Sequence, residues 1–110
     1  MKIVALEQEL PGVTAADFTA ELKKAEAAKA WELYQAGFIR ELYFRQDYPA
    51  AVLILECVDV AEAQQVVTSL PLVAAGLITF DLIPLSPYPG FARLFADPAQ
   101  ESRPLTTEHR

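Results

Sequence analysis

Charged side chains that fall on otherwise apolar faces are the ones best able to do chemistry, because a group held away from water acts on whatever binds beside it. Between Phe18 and Ala36, the residues Phe18, Leu22, Ala25, Leu33 and Ala36 recur at helical spacing, with Lys29 in the middle of the stripe and Glu32 on its border. Between Phe38 and Arg45, Arg40 shares one strand face with Phe38, Leu42 and Phe44, and is the lone charge on it. Lys29 and Arg40 together suit a carboxylate or enolate, and Glu32 is placed to move a proton between adjacent carbons. Phe38, Leu55 and Phe80 supply apolar walls for such a pocket. The bland alternative uses the same residues: Lys29 reaches past the stripe to water, and Arg40 pairs with Glu32.

The opposite strand face is mixed. Ile39, Glu41, Tyr43 and Arg45 stand across from Val52, Ile54 and Glu56, with Thr79 and Asp81 on the last strand. Glu56 is a further candidate proton acceptor, its pKa raised by burial. The alternative is an ion pair between Arg45 and Glu56 that serves structure alone.

The elements that position these groups are legible from their punctuation. Lys2–Leu10 reads as a strand stopped by Pro11-Gly12. Thr14, three residues before Asp17, reads as the cap of a long helix that Gly37 closes near Ala36. Phe38–Arg45 and Ala50–Cys57 form a hairpin across Gln46-Asp47-Tyr48-Pro49. Asp59 and Glu62 cap a second helix that ends at Pro71, and Leu77–Leu85 is the last strand.

Strand, helix, strand, strand, helix, strand is the order of an α+β, ferredoxin-like domain: a four-stranded antiparallel sheet with both helices on one face. The bare face then calls for a partner, and a second copy laid sheet to sheet is the expected one. Residues 1–96 form this single domain, in which Tyr88, Phe91, Leu94 and Phe95 make a short apolar segment that must dock. Residues 97–110 are polar, contain two prolines and read as a tail.

Composition narrows the function classes. A hydrophobic fraction of 53% is high for 110 residues, so some apolar surface is left over for association. The net charge of −6 repels phosphate backbones, which excludes nucleic acid as the expected ligand. The single cysteine, Cys57, lies in an apolar run and suits a cytoplasmic setting; no run is long enough to cross a membrane. With His109 as the only histidine and no glycine-rich phosphate loop, neither a metal centre nor a bound cofactor is expected.

From Gly37 to Leu85 the chain resembles the muconolactone isomerase-like families of the dimeric α/β-barrel group. The resemblance is carried by Gly37, by Leu42-Tyr43, by Val58-Asp59-Val60-Ala61-Glu62-Ala63 and by Leu70-Pro71-Leu72 before the final strand. It implies a homodimer or higher homo-oligomer, with a small-molecule cavity between each sheet and its helices. A cofactor-free isomerase that transfers a proton on a small carboxylate-bearing or lactone metabolite is the expectation that follows. A non-catalytic ligand-binding or assembly module and a cofactor-free monooxygenase are the alternatives.

Overall fold

The computed structural model describes residues 1–95, and the expected tail at 97–110 lies outside them. Four strands form one antiparallel sheet: β1 (Lys2–Glu9), β2 (Ile39–Phe44), β3 (Ala51–Glu56) and β4 (Ile78–Pro84), in the order β2-β3-β1-β4. Helix α1 (Ala20–Gln35) follows β1, and α2 (Val60–Thr68) with a one-turn α3 (Pro71–Ala74) joins β3 to β4. This is the ferredoxin-like arrangement: β2 and β3 pair as a hairpin, while the helical connections β1-to-β2 and β3-to-β4 each cross over a neighbouring strand.

Period-two alternation puts Ile3, Ala5, Leu53, Leu55, Ile78 and Phe80 on the helix-covered face, where all are buried. Leu33 of α1 and Ala63, Val66 and Val67 of α2 close the core from above. Each fully buried aliphatic side chain contributes roughly 1.5–3 kcal/mol, so this cluster is the main source of stability.

Local chemistry explains the helix ends. The Thr14–Asp17 box does form, with the Asp17 carboxylate accepting the Thr14 N–H at 2.8 Å, but it closes only a 3-10 turn over Ala15–Asp17. The cap of α1 is Thr19, whose hydroxyl accepts the Leu22 N–H at 3.1 Å. Leu22, Glu26, Ala30 and Leu33 turn toward the sheet, whereas Ala25 and Ala36, expected on the inner stripe, are exposed. Gly37, at φ +91, takes the left-handed position that ends α1, with Phe38 N–H bonded back to the Leu33 carbonyl. Asp59 caps α2 by accepting from Glu62 N–H at 2.8 Å. Pro71 both stops α2 and opens α3, because its missing N–H is no loss in a first turn.

One irregularity matters for the site. The β2–β3 register pairs Ile39 with Leu55 and Glu41 with Ile54, which leaves Arg40 as the extra residue of a bulge. The bulge flips the parity expected across β2. Ile39, not Arg40, points into the core and is 1% exposed, while Leu42 and Phe44 keep the helix-side face expected of them.

The segment after β4 forms a 3-10 turn at Gly90–Leu94. Its Tyr88 and Phe91 rings meet edge to face at 5.0 Å, yet Tyr88, Phe91, Leu94 and Phe95 all remain exposed, Phe95 at 86%. The docking expected of this segment is therefore not made on its own subunit. Among the described residues no helix is long and apolar enough to cross a membrane.

Candidate functional site

A cavity of about 870 Å³ opens between the helix-side face of the sheet and the N-terminal half of α1. Its floor is Ile39, Leu53 and Phe80, and its helix wall includes Phe18, Ala27 and Ala30. Small side chains at 27 and 30 keep α1 from filling the space, and Leu42 and Phe44 at the far end of β2 border it with much of their surface open. The volume lies within the range of small-molecule sites.

Glu9 stands at the exposed rim of this apolar enclosure, and two carboxylates face it from further in. Glu7 follows Ile3 and Ala5 on the helix-side face of β1, and its Oε1 accepts the Ala51 N–H at 2.8 Å. Glu26 descends from α1, and its Oε1 accepts the Leu72 N–H at 2.9 Å. Burial pushes the Glu7 carboxyl above the usual carboxylate range; the Ala51 hydrogen bond opposes this and the charge of Glu9 adds to it. Burial likewise raises Glu26, opposed by the Leu72 hydrogen bond and reinforced by the charge of Glu7. A pair of raised carboxyls, one of them raised in part by the charge of the other, can hold one proton while offering one base. Neither forms an ion pair among the described residues.

The residues singled out from sequence are dispersed. Phe80 lines the cavity, but Leu55 is fully buried in the core between the sheet and the helices and Phe38 packs against that core. Lys29 and Glu32 meet each other at 3.0 Å on the exposed side of α1. Arg40, lifted off the helix-side face by the bulge, donates from Nε to the Gly37 carbonyl at 2.9 Å and borders a second, shallower recess beside Trp31 and Tyr34. Those two rings stack with centroids 5.7 Å apart.

Glu56 sits at the opposite end of β3, where its carboxylate accepts from the Met1 amino group at 2.6 Å. That contact holds its carboxyl below the usual range, the reverse of the upward shift expected from burial. Arg45 does not reach Glu56; it donates to Asp47 at 2.9 Å and lies over the Tyr48 ring.

Glu7 and Glu26 were the residues that sequence reasoning passed over. Glu7 carried a signal, since it continues the alternation of Ile3 and Ala5. Glu26 carried a weaker one, falling four residues after Leu22 and four before Ala30.

Comparison with known proteins agrees with this fold. No curated protein matches the sequence. Among solved structures, 5-chloro-2-hydroxyhydroquinone dehydrochlorinase from Burkholderia phenoliruptrix AC1100, in complex with 2,5-dihydroxybenzoquinone, is similar at TM-score 0.61 and 18% identity, over 78% of this chain and 94% of that chain. At that identity the likeness is one of fold, that of the dimeric α/β-barrel group. The family model for muconolactone delta-isomerase matches residues 3–90, a span that takes in the whole core and both cavity carboxylates, and the chain belongs to that family.

Proposed function

We propose that this protein is a small isomerase that moves a proton between carbons of an unsaturated lactone or a related oxygenated ring, with Glu7 and Glu26 as its working groups. The observation that carries this reading is the pair of desolvated carboxyls on one apolar cavity. Family membership supports the reaction class.

In this reading Glu7 acts as the base and Glu26 carries the shared proton, a division that the upward pull of the Glu7 charge on Glu26 supports. Glu7 then removes a proton from a carbon activated by the ring carbonyl, and the electron pair of that C–H bond passes into an enolate. Glu26 donates its hydrogen bond to the enolate oxygen, the use to which a neutral buried carboxyl is best suited. Glu7, only partly buried, returns a proton, in some turnovers one exchanged with solvent, to the other end of the conjugated system, so the double bond shifts and atoms and charge balance. Apolar walls such as Ile39, Leu53 and Phe80 keep water from quenching the enolate.

The test is double-bond migration and deuterium uptake on muconolactone in heavy water, followed by proton NMR. Glu7→Gln is expected to slow both by roughly 10²–10⁴, the usual contribution of a general base. An undiminished rate in that variant, with the fold intact, would remove Glu7 and with it this mechanism.

The working unit in this reading is a homodimer. Val4, Leu6, Val52 and Ile54 form neighbouring pairs on the face away from the helices, with Ile83 beside Val4. None of these is fully buried within the subunit. Apolar area of this kind is best covered by an identical sheet, and the exposed aromatic segment at Tyr88–Phe95 gains cover from the same partner.

A further inference from the structure

The α1 wall of the cavity is one helical stripe. Lys23, Glu26, Ala27 and Ala30 recur at helical spacing and all border the opening. Lys23 therefore stands one turn before Glu26, about 4.5 Å along the helix axis. Among the described residues it is the one cation on the cavity wall, and it forms no ion pair with any of them. Three cations near this region are engaged elsewhere: Lys29 by Glu32, Arg45 by Asp47 and Arg40 by the Gly37 carbonyl. Tyr43 gives its hydroxyl hydrogen to Glu41 at 2.7 Å, so it is not a donor toward the cavity.

The acidic groups are distributed unevenly around the same opening. Glu7 and Glu9 border it from β1, the second at the exposed rim. Consider a ligand whose ring reaches Glu7 and Glu26 and whose side arm ends in a carboxylate. Like charge repels that arm from the β1 side, and it meets a cation only at the first turns of α1. Holding the arm at the mouth also avoids the cost of burying an anion among the apolar walls. Lys23 is exposed, and its ammonium group on a flexible stem can follow the arm while the carboxylate keeps part of its hydration. We infer that Lys23 is a specificity-determining residue of this site, binding the carboxylate of an anionic ring ligand at the cavity mouth and thereby turning the ring toward Glu7 and Glu26. This rests on the proton-transfer reading above and names the group that recognises the charged arm of its substrate.

The test is calorimetric titration of the full chain with muconolactone and with its methyl ester, near neutral pH and at low salt. The two differ by one negative charge on one scaffold. Lys23→Gln is expected to weaken binding of the acid roughly tenfold, the scale of one charge-assisted hydrogen bond, and to leave the ester unchanged. KM for the acid should rise with it, while kcat changes less. Lys24→Gln alters the neighbouring exposed lysine, which does not border the cavity, and should bind both ligands as the parent does. Parent-like binding of the acid by Lys23→Gln, equal weakening of acid and ester, or equal losses in the Lys23 and Lys24 variants would each overturn the assignment; deuterium uptake by the parent would keep the proton-transfer reading. A parent that binds the acid through Lys23 but moves no proton overturns that reading and keeps the assignment. Failure of both ligands to bind overturns the two together.

Discussion

The Glu26 carboxylate accepts the Leu72 backbone N–H at 2.9 Å, so a side chain that faces the cavity from α1 also fixes the first turn of α3. One residue thereby couples the site to the Leu70-Pro71-Leu72 element, and its two duties can be separated. Glu26→Ala removes the acceptor and strands a part-buried N–H, which should destabilise the fold by about 1–3 kcal/mol in urea titration. Glu26→Gln keeps an acceptor and deletes a desolvated charge, so its urea midpoint should match or exceed that of the parent. Both variants should lose isomerisation, since a glutamine amide is a weaker donor to an enolate than a carboxyl.

Stability should depend on pH with a sign set by the same pair. Glu7 and Glu26 have folded pKa values above their unfolded ones, so their contribution is fully present below the unfolded value and is lost as pH rises through the folded values. Asp47, lowered chiefly by its hydrogen bond from Arg45, acts in the opposite sense and loses its contribution as pH falls through its folded value. Melting temperature should therefore rise as pH is lowered from neutrality toward the mildly acid range, before Asp47 and other ionised carboxylates protonate. In the Glu7→Gln, Glu26→Gln double variant that rise should flatten. A parent-like rise in the double variant would place the titrating groups elsewhere.

The outline of the fold was open to sequence reading because its signals are local. Gly37 after a periodic run, the Asp59 cap and Pro71 each act within a few residues. The site was harder for two physical reasons. The Thr14–Asp17 box satisfies the rule for a helix start and yet ends in a 3-10 turn, and apolar spacing alone put Ala25 on the inner stripe where Glu26 stands. The bulge at Arg40 is set by how β2 lies against β3, and no residue type near it announces an inserted position. A shift of one residue was enough to exchange Arg40 with Ile39.

Leu55 separates packing from binding. It is fully buried between β1 and β2 neighbours and does not border the cavity. Leu55→Ala should cost about 2–5 kcal/mol by urea denaturation, a large share of the total stability of a domain this size. Under conditions where the variant stays folded, its KM should remain that of the parent. A selective rise in KM would bring Leu55 back to the ligand.

Arg40 provides the converse case. Its Nε bond to the Gly37 carbonyl lies at the surface, where a hydrogen bond competes with water. Arg40→Leu should change stability by no more than about 0.5 kcal/mol and leave isomerisation unaffected. A marked loss of ligand affinity in a folded variant would restore this side chain to a binding role.

The strongest demand on the proposed assembly falls on Ile54, which pairs with Val4 across the sheet and shares its outer face with Val52 and Leu6. If an identical sheet covers this face, a lysine there buries one cation from each subunit in an apolar interface, where pairing with its cross-strand neighbour Glu41 does not restore the lost apolar contact. If the face is open to water, the same lysine is harmless, because a strand exposed on one side tolerates long polar side chains. Sedimentation equilibrium should therefore find the parent as a dimer and Ile54→Lys as a folded monomer with unchanged far-ultraviolet circular dichroism. The monomer should lose most of its isomerisation, since the sheet loses its backing and the aromatic segment at Tyr88–Phe95 loses its cover. A parent that sediments as a monomer at micromolar concentration, with full activity, would show that the exposed valines and isoleucines need no second sheet.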